Sequence, residues 1–448
     1  MGSDIRFIHA ADIHLGSIIC VNEEDFVYKN AVYDSFEKIC SYAIEYKVDF
    51  LIISGDLYDR EYQCVKANKF FIECCKRLEK ENIYVYAIGG NHDPLGERKE
   101  LFNLPSNVYL FGYEQISSVE FIKNGKLAAK LYGQSYRSKA EGRKIVDNYN
   151  AEEQDIFHIA LLHTQLDNSN TNYVPCSLSD LKNKEGFSYW ALGHIHKSII
   201  LNKIEPWIIY PGIPQGRDIG EEGIGGCVLV NLYNSKDSSV ELLPTSSVIW
   251  KKAIISIDES GLEINNLTEL EEYAAAKLEE YISNYVEEIK KSDTYNGFKI
   301  NKELISVANS FIVDVQIVGR SQLYYIFNND ENEILENMKT SLNGAFMRKY
   351  PEMHIHDIDV DIKRPNLEFQ EFIANNNLLN EVKEIIKEIY SNDELRKELL
   401  NSVGKVWETK WDNENINPAK IQFDEDKLKD ILDKSEELIL NSLLERIE

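Results

Sequence analysis

The chain has 448 residues, 43% of them hydrophobic and 11% aromatic, with a formal net charge of −26. It is too long for one ordinary core and too apolar to be disordered, so two or three domains are expected. The acid excess argues against a stand-alone nucleic-acid binder, whose surface needs Lys and Arg, and no apolar run approaches the ~18–20 residues that cross a bilayer.

In chain order, a strand-like run at Phe7–Ala11 is followed by a helical pattern at Val32–Glu45, with Val32, Phe36, Ile39, Cys40 and Ala43 on one face. A second run, Phe50–Ser54, precedes a helix at Val65–Lys80, where Ala67, Phe70, Phe71, Cys74, Cys75 and Leu78 keep i, i+3, i+4 spacing. The run Ile83–Ile88 comes next. Asn124-Gly125 reads as a tight turn between Val119–Lys123 and Lys126–Tyr132, and Ile156–Leu162 and Tyr189–Leu192 read as further strands. This alternation predicts a layered α/β domain over residues 1–245. Beyond Pro244–Trp250 the texture changes. A strand at Ala253–Asp258, a helix opened by Thr268 with Glu271 three residues on, and strands at Phe311–Val318 and Ile355–Ile362 predict a smaller α+β domain over 250–365. After Arg364-Pro365 the chain reads as acidic helices (Phe369–Tyr390, Asp393–Trp407, Asp424–Ile447) with a linker at Trp411–Asn417, a segment expected to dock a partner over 366–448.

Charge is uneven. Residues 1–250 carry a net −9 and residues 251–448 a net −17, whereas 101–150 hold seven basic side chains against four acids, either a solvated face or a phosphate track. The seven cysteines lack C-x-x-C spacing and no basic-then-apolar leader opens the chain, so a reducing cytoplasm and no membrane are expected.

The chemistry is concentrated where strand-like runs give out. There stand Asp12-Ile13-His14, Gly55-Asp56, Gly90-Asn91-His92-Asp93, His163 and Gly193-His194-Ile195-His196, and these clusters hold five of the nine histidines. Two carboxylates, one amide and four imidazoles form a mixed O/N set that suits manganese, iron or zinc better than magnesium or calcium. Asp12 and His14, two apart on an extended chain, point the same way, and Asp56 has two oxygens with which to bridge a pair of cations. Asp12, His14, Asp56, Asn91, His163, His194 and His196 are therefore candidate ligands of a dinuclear centre. His92 is the candidate catalytic histidine, placed to protonate the leaving oxygen or to steady the charge building on the phosphate, with Asp93 as the carboxylate that steadies its ring. His354-Ile355-His356 copies the spacing of the last cluster but opens an alternating strand, so it reads as structural; His9 and His158, inside apolar runs, read as core histidines.

These residues resemble the calcineurin-like metallophosphoesterases, and within them the SbcD-type DNA repair exonucleases with their YhaO-like branch. The strings that carry the resemblance are His9-Ala10-Ala11-Asp12-Ile13-His14-Leu15-Gly16, Ser54-Gly55-Asp56-Leu57-Tyr58-Asp59, Gly89-Gly90-Asn91-His92-Asp93, Ala191-Leu192-Gly193-His194-Ile195-His196 and Tyr210-Pro211-Gly212-Ile213-Pro214-Gln215-Gly216-Arg217. Asp59 stands where eukaryotic members have histidine and bacterial relatives often have aspartate. The resemblance implies a β-sandwich flanked by helices, a cap domain over 250–365 and two Mn²⁺ per chain, with iron or zinc as alternatives. One metal would be held by Asp12, His14, Asp56 and His196, and the other by Asp56, Asn91, His163 and His194, with His92 catalytic. It further implies Mn-dependent exonuclease or endonuclease action on DNA ends in repair, beside an SMC-like coiled-coil ATPase. A homodimer is a further expectation, with the apolar face of helix 65–80 as its surface. Competing readings are a small-molecule phosphodiesterase or phosphatase, such as one for a cyclic nucleotide, and a scaffold with a vestigial metal site.

Overall fold

The structure is a computed structural model. It describes residues 4–19, 28–59, 65–97, 102–151, 155–166, 172–234, 237–261, 264–307, 310–346, 352–365 and 377–392, with isolated positions beyond. Two compact units divide it, one of residues 1–319 and 327–361 and the other of 320–326 and 362–448. Most of the helices expected after Pro365 and the linker at 411–417 lie outside the described residues. In that stretch the structure describes a helix at Asn377–Ser391.

The strands are β1 (Ile5–Ala10), β2 (Phe50–Ser54), β3 (Tyr84–Ile88), β4 (Val108–Leu110), β5 (Ser117–Lys123), β6 (Lys126–Gly133), β7 (Phe157–His163), β8 (Tyr189–Gly193) and β9 (Ile199–Asn202). They continue with β10 (Trp207–Tyr210), β11 (Gly226–Leu232), β12 (Ser239–Pro244), β13 (Val248–Ser256), β14 (Thr294–Tyr295), β15 (Phe298–Ile300), β16 (Ser310–Arg320) and β17 (Glu352–Lys363). One sheet runs in the order β14-β15-β12-β11-β1-β2-β3-β4 and a second β5-β6-β7-β8-β10-β9, while β13-β16-β17 form a third.

Alternate residues of each central strand enter different layers, because side chains switch faces at every step. Phe7, Phe50 and Ile52 point between the two large sheets, with Leu131, Ile159, Leu161 and Tyr189 opposite. Ile8, Leu51 and Ile53 point outward instead, under helices α1 (Ala31–Glu45) and α2 (Val65–Lys80). Burial on both faces explains why these strands read as unbroken apolar runs, as parallel strands covered on both sides do. The outer face of the second sheet packs a third cluster, with Tyr136, Tyr149, Leu162 and Trp190. The fold is thus a layered α/β sandwich flanked by helices, as expected.

β1, β2 and β3 are parallel neighbours, and so are β7 and β8. Their carboxyl ends carry all five polar clusters. At Asn124 and Gly125, φ is +53° and +76°, the pair of positive values that a two-residue hairpin turn requires.

Two local expectations need correcting. Helix α2 does not offer its apolar face to a second copy, since Ala67, Phe71, Cys74, Cys75 and Leu78 are buried in the core beneath it. The helix after residue 260 spans Leu267–Lys291 and is capped by Asn266, whose Oδ1 accepts from the Glu269 amide at 3.0 Å, rather than by Thr268. The basic stretch 101–150 is partly neutralised: Arg143 pairs with Glu141, Lys123 with Asp49 and Lys144 with Asp180.

Phe50 is fully buried, and its ring meets those of Phe7, Tyr86 and Phe121 at centroid distances of 5.1, 5.4 and 5.0 Å. Phe50→Ala is expected to cost ~3–5 kcal/mol in urea unfolding, the usual toll of emptying an aromatic site in a closed core. A loss under ~1 kcal/mol would contradict this account of the inter-sheet layer.

Candidate metal centre

Immediately after the strands the backbone takes turns that few residues tolerate. Asp12, His14 and Asp56 have φ of +53°, +51° and +51°, and His194 has +98°. Non-glycine residues in this region store strain, which persists only where the surroundings over-determine it. Here they do: the Asp12 amide donates to the Gly55 carbonyl at 3.1 Å, and the His14 amide to the Asp56 carbonyl at 3.0 Å, so the first two loops hold each other. Gly55, at φ +97°, lies so close to the His163 ring that a Cβ would collide with it. A Cβ at Gly90 would strike the Asp56 carboxylate.

Asp12, His14, Asp56, Asn91 and His163 are buried, whereas His194 and His196 are half-buried. Asp12, His14 and His196 bring ligand atoms within 4.8 Å of one another, and so do Asp12, Asp56 and His163. Asn91 Oδ1 joins them, 2.9 Å from His163 Nε2 and 3.0 Å from His194 Nδ1. All seven sequence-derived ligand candidates therefore converge.

The donor set asks for cations. His163 Nδ1–H donates to the Ser54 carbonyl at 2.9 Å, which fixes the tautomer and leaves Nε2 a bare lone pair. That lone pair faces Asp56 Oδ2 at 3.5 Å, acceptor against acceptor. His196 Nδ1–H donates to Glu221 Oε1 at 2.5 Å, which with the nearby carboxylates outweighs burial and holds this imidazole above its ordinary value, while its Nε2 faces His14 Nε2 at 3.4 Å. His14 Nδ1 is buried with no hydrogen-bond partner. Lone pairs aimed at shared space repel unless positive charge lies between them, and divalent metals fit this arrangement. The carboxylates agree. Burial pushes the Asp12 carboxyl up to about 7 and that of Asp56 to about 6. Burial also drives the His163 and His194 imidazoles down to about 3, which keeps them neutral as ligands must be.

His92 stands beside this cluster, its ring edge-on to that of His14 at 4.7 Å and its side chain 36% exposed. Its amide donates to Asp56 Oδ1 at 2.8 Å. The ring is held by Asp59, not by Asp93: His92 Nδ1 lies 3.3 Å from Asp59 Oδ1, and this hydrogen bond raises the imidazole above its ordinary value. Asp93 works on the backbone, accepting from the Leu57 and Tyr58 amides at 3.0 and 3.3 Å and from the Gly90 amide at 2.8 Å. It ties the second loop to the third. Sequence spacing placed Asp93 on the ring because it is adjacent. The partner that reaches the ring is 33 residues away.

Two further residues had no signal of their own in the spacing. Glu221 holds His196, and Arg217 bridges Asp59 and Glu221 at 3.2 and 3.1 Å. Burial raises the Glu221 carboxyl, but the His196 hydrogen bond and the Arg217 charge outweigh this and bring it to about 2. His9 is a satisfied core histidine, its ring nitrogens against Tyr189 Oη at 3.0 Å and the Leu192 carbonyl at 3.1 Å. His354 and His356 lie within β17, where His356 pairs with Asp314 at 2.8 Å.

The family model for calcineurin-like phosphoesterases matches residues 5–198, the stretch that carries every one of these strand-end clusters. Residues 5–198 are a calcineurin-like phosphoesterase domain. The metallophosphoesterase YhaO of Bacillus subtilis is 37% identical over 267 residues, 58% of this chain and 65% of that protein. The DNA double-strand break repair protein Mre11 of Methanocaldococcus jannaschii is 31% identical over 219 residues, 46% of this chain and 56% of that protein. Mre11 of Archaeoglobus fulgidus is 25% identical over 312 residues, covering 61% and 68%. The chain thus spans less than two thirds of the first two relatives. The clusters above are the candidate metal-binding residues of that domain. Among the described residues no helix is long and apolar enough to cross a membrane.

The raised Asp12 carboxyl has a stability consequence. Its folded value of about 7 lies above the ordinary 3.8, so whatever this group contributes is present at low pH and lost as pH rises through 7. In EDTA, Asp12→Asn is expected to be more stable than the native chain at pH 8, by about 2–4 °C in Tm for each ~1 kcal/mol relieved. The gap should close toward pH 4. A variant that melts below the native chain at pH 8 would refute the cost assigned to this carboxylate.

Proposed function

We propose that the chain is a manganese-dependent phosphodiesterase that cuts DNA ends, working in repair beside an SMC-like coiled-coil ATPase. The observation that carries this reading is the convergence of ligand atoms from Asp12, His14, Asp56, Asn91, His163, His194 and His196 on one space, with His92 at its rim. Asp12, His14, Asp56 and His196 would hold one cation and Asp56, Asn91, His163 and His194 the other. Iron or zinc would satisfy the same donors. Bound there, the pair supplies a nucleophile from water at neutral pH and a counter-charge for phosphoryl oxygens.

The remaining work falls to the chain. Asp59 keeps the His92 ring oriented and protonated nearer neutral pH, the state of a general acid that gives its proton to the leaving oxygen. Asp93 holds two ligand loops in register through backbone amides. The names of the archaeal relatives, DNA double-strand break repair proteins, support DNA as substrate, and the manganese and ATPase assignments follow the sequence resemblance. The domain plan, 1–245 catalytic, 250–365 cap and 366–448 docking, belongs to this proposal.

Calorimetry is expected to count two Mn²⁺ per chain, with Asp56→Ala losing the tight binding of both. His92→Ala should keep its metals while end-labelled duplex DNA is cut roughly 10²–10⁴-fold more slowly. Metal lost in His92→Ala would make His92 a ligand and reverse its role. Cleavage of a chromogenic phosphodiester or a cyclic nucleotide without cleavage of duplex DNA would favour a small-molecule enzyme. Two bound metals with no cleavage of any of these would mark a scaffold.

A chain ending near residue 365 should bind two metals and cleave a small phosphodiester, yet fail to co-purify with an SMC-like ATPase. Full retention of the ATPase by that truncation would remove the docking role from 366–448.

A further inference from the structure

The loop between β10 and β11 carries Arg217 to the rim of the metal centre, where its guanidinium stands between two carboxylates. One terminal nitrogen donates to Asp59 Oδ2 at 3.2 Å and the other to Glu221 Oε1 at 3.1 Å. Each carboxylate also meets a site imidazole. Asp59 Oδ1 lies 3.3 Å from His92 Nδ1, and Glu221 Oε1 accepts from His196 Nδ1 at 2.5 Å. The Arg217 amide donates to the second Glu221 oxygen at 2.7 Å, so that carboxylate is pinned at both atoms. An unbroken chain His92–Asp59–Arg217–Glu221–His196 results. It joins the candidate proton donor to a candidate ligand drawn from a different loop.

The three linking side chains are shielded, at 14% exposure for Asp59, 17% for Arg217 and 9% for Glu221. Arg217 Nε is buried with no hydrogen-bond partner, a desolvation cost the fold bears while the fork stays on both carboxylates. A lysine could not replace it, because one ammonium on a flexible stem does not present two fixed donors to two separated acceptors. An ordinary surface pair would leave its carboxylates in water. Here both are committed to imidazoles of the site.

We propose that Arg217 is a positioning residue that sets the His92 and His196 rings together, so that the proton donor and one metal ligand are oriented by a single side chain. The proposal rests on the phosphodiesterase reading for the role of His92. Its effect on His196 is independent of catalysis and can be read without turnover.

The test uses the full chain and Arg217→Lys, which keeps the charge, with Arg217→Met and Asp59→Asn for a double-mutant comparison. Calorimetric titration with Mn²⁺ should show one of two binding steps weakened about 10–100-fold in Arg217→Lys, the range for partners that orient a ligand. The other step should be unchanged. On bis(p-nitrophenyl) phosphate, kcat should fall about 10–100-fold with KM within about twofold, at a Tm near that of the native chain. Arg217→Met combined with Asp59→Asn should lose no more kcat than the worse single variant, because the two act as one unit. Native kcat and native Mn²⁺ affinity in folded Arg217→Lys would overturn the proposal, and so would a loss of Tm alone. Equal weakening of both binding steps would overturn it too. If the native chain bound manganese but cut no phosphodiester, the phosphodiesterase reading would fall, and the calorimetric asymmetry would still decide the role of Arg217 toward His196.

Discussion

Two carboxylates closed off from water, Asp12 and Asp56, set the terms for everything around them. Charge in a low-dielectric interior is expensive unless it is answered locally. The answers come from the His194 amide on Asp12, the His92 amide on Asp56, and the imidazoles gathered from both sheets. The strained turns at Asp12, His14 and Asp56 and the bare glycines at 55 and 90 are what it takes to bring those answers within reach. The sandwich behind them supplies rigidity. Its carboxyl-terminal strand ends meet on one side because β1–β3 and β7–β8 run parallel within their sheets.

Much of this could be read from residue order. Short polar clusters at the ends of apolar runs marked both the strands and the convergence, because a strand end fixes where the next residues go. Helix α2 was legible to the residue, since its apolar spacing is regular over 16 positions. What the order of residues could not reveal was pairing at a distance. Asp59 on His92, Glu221 on His196 and Arg217 between them are contacts across 33, 25 and 158 residues. Adjacency favoured Asp93, which holds backbone instead. The face of α2 illustrates the same limit: periodicity identifies an apolar stripe but does not say what covers it.

The centre also divides labour between tautomers. Ser54 and Glu221 each take the Nδ1 proton of one histidine, leaving Nε2 of His163 and His196 free toward the site. A backbone carbonyl does this for the buried ring and a carboxylate for the half-buried one. The carboxylate passes more negative charge to its imidazole, which makes the two histidines unequal donors.

The large sheet does not stop where the strand–helix alternation stops. β12 is followed in the sheet not by solvent but by β15, pairing Glu241 with Lys299 and Leu242 with Ile300, and then by β14. Those two short strands come from the stretch that the texture of the chain assigns to a separate domain. A chain cut after residue 245 would therefore expose the amide and carbonyl row of β12, together with the side of Leu242 that Phe298 covers in the inter-sheet core. An unpaired edge of that kind is a template for another strand. The catalytic sheet thus carries its own safeguard against edge-to-edge self-association, borrowed from sequence that lies some fifty residues further along the chain.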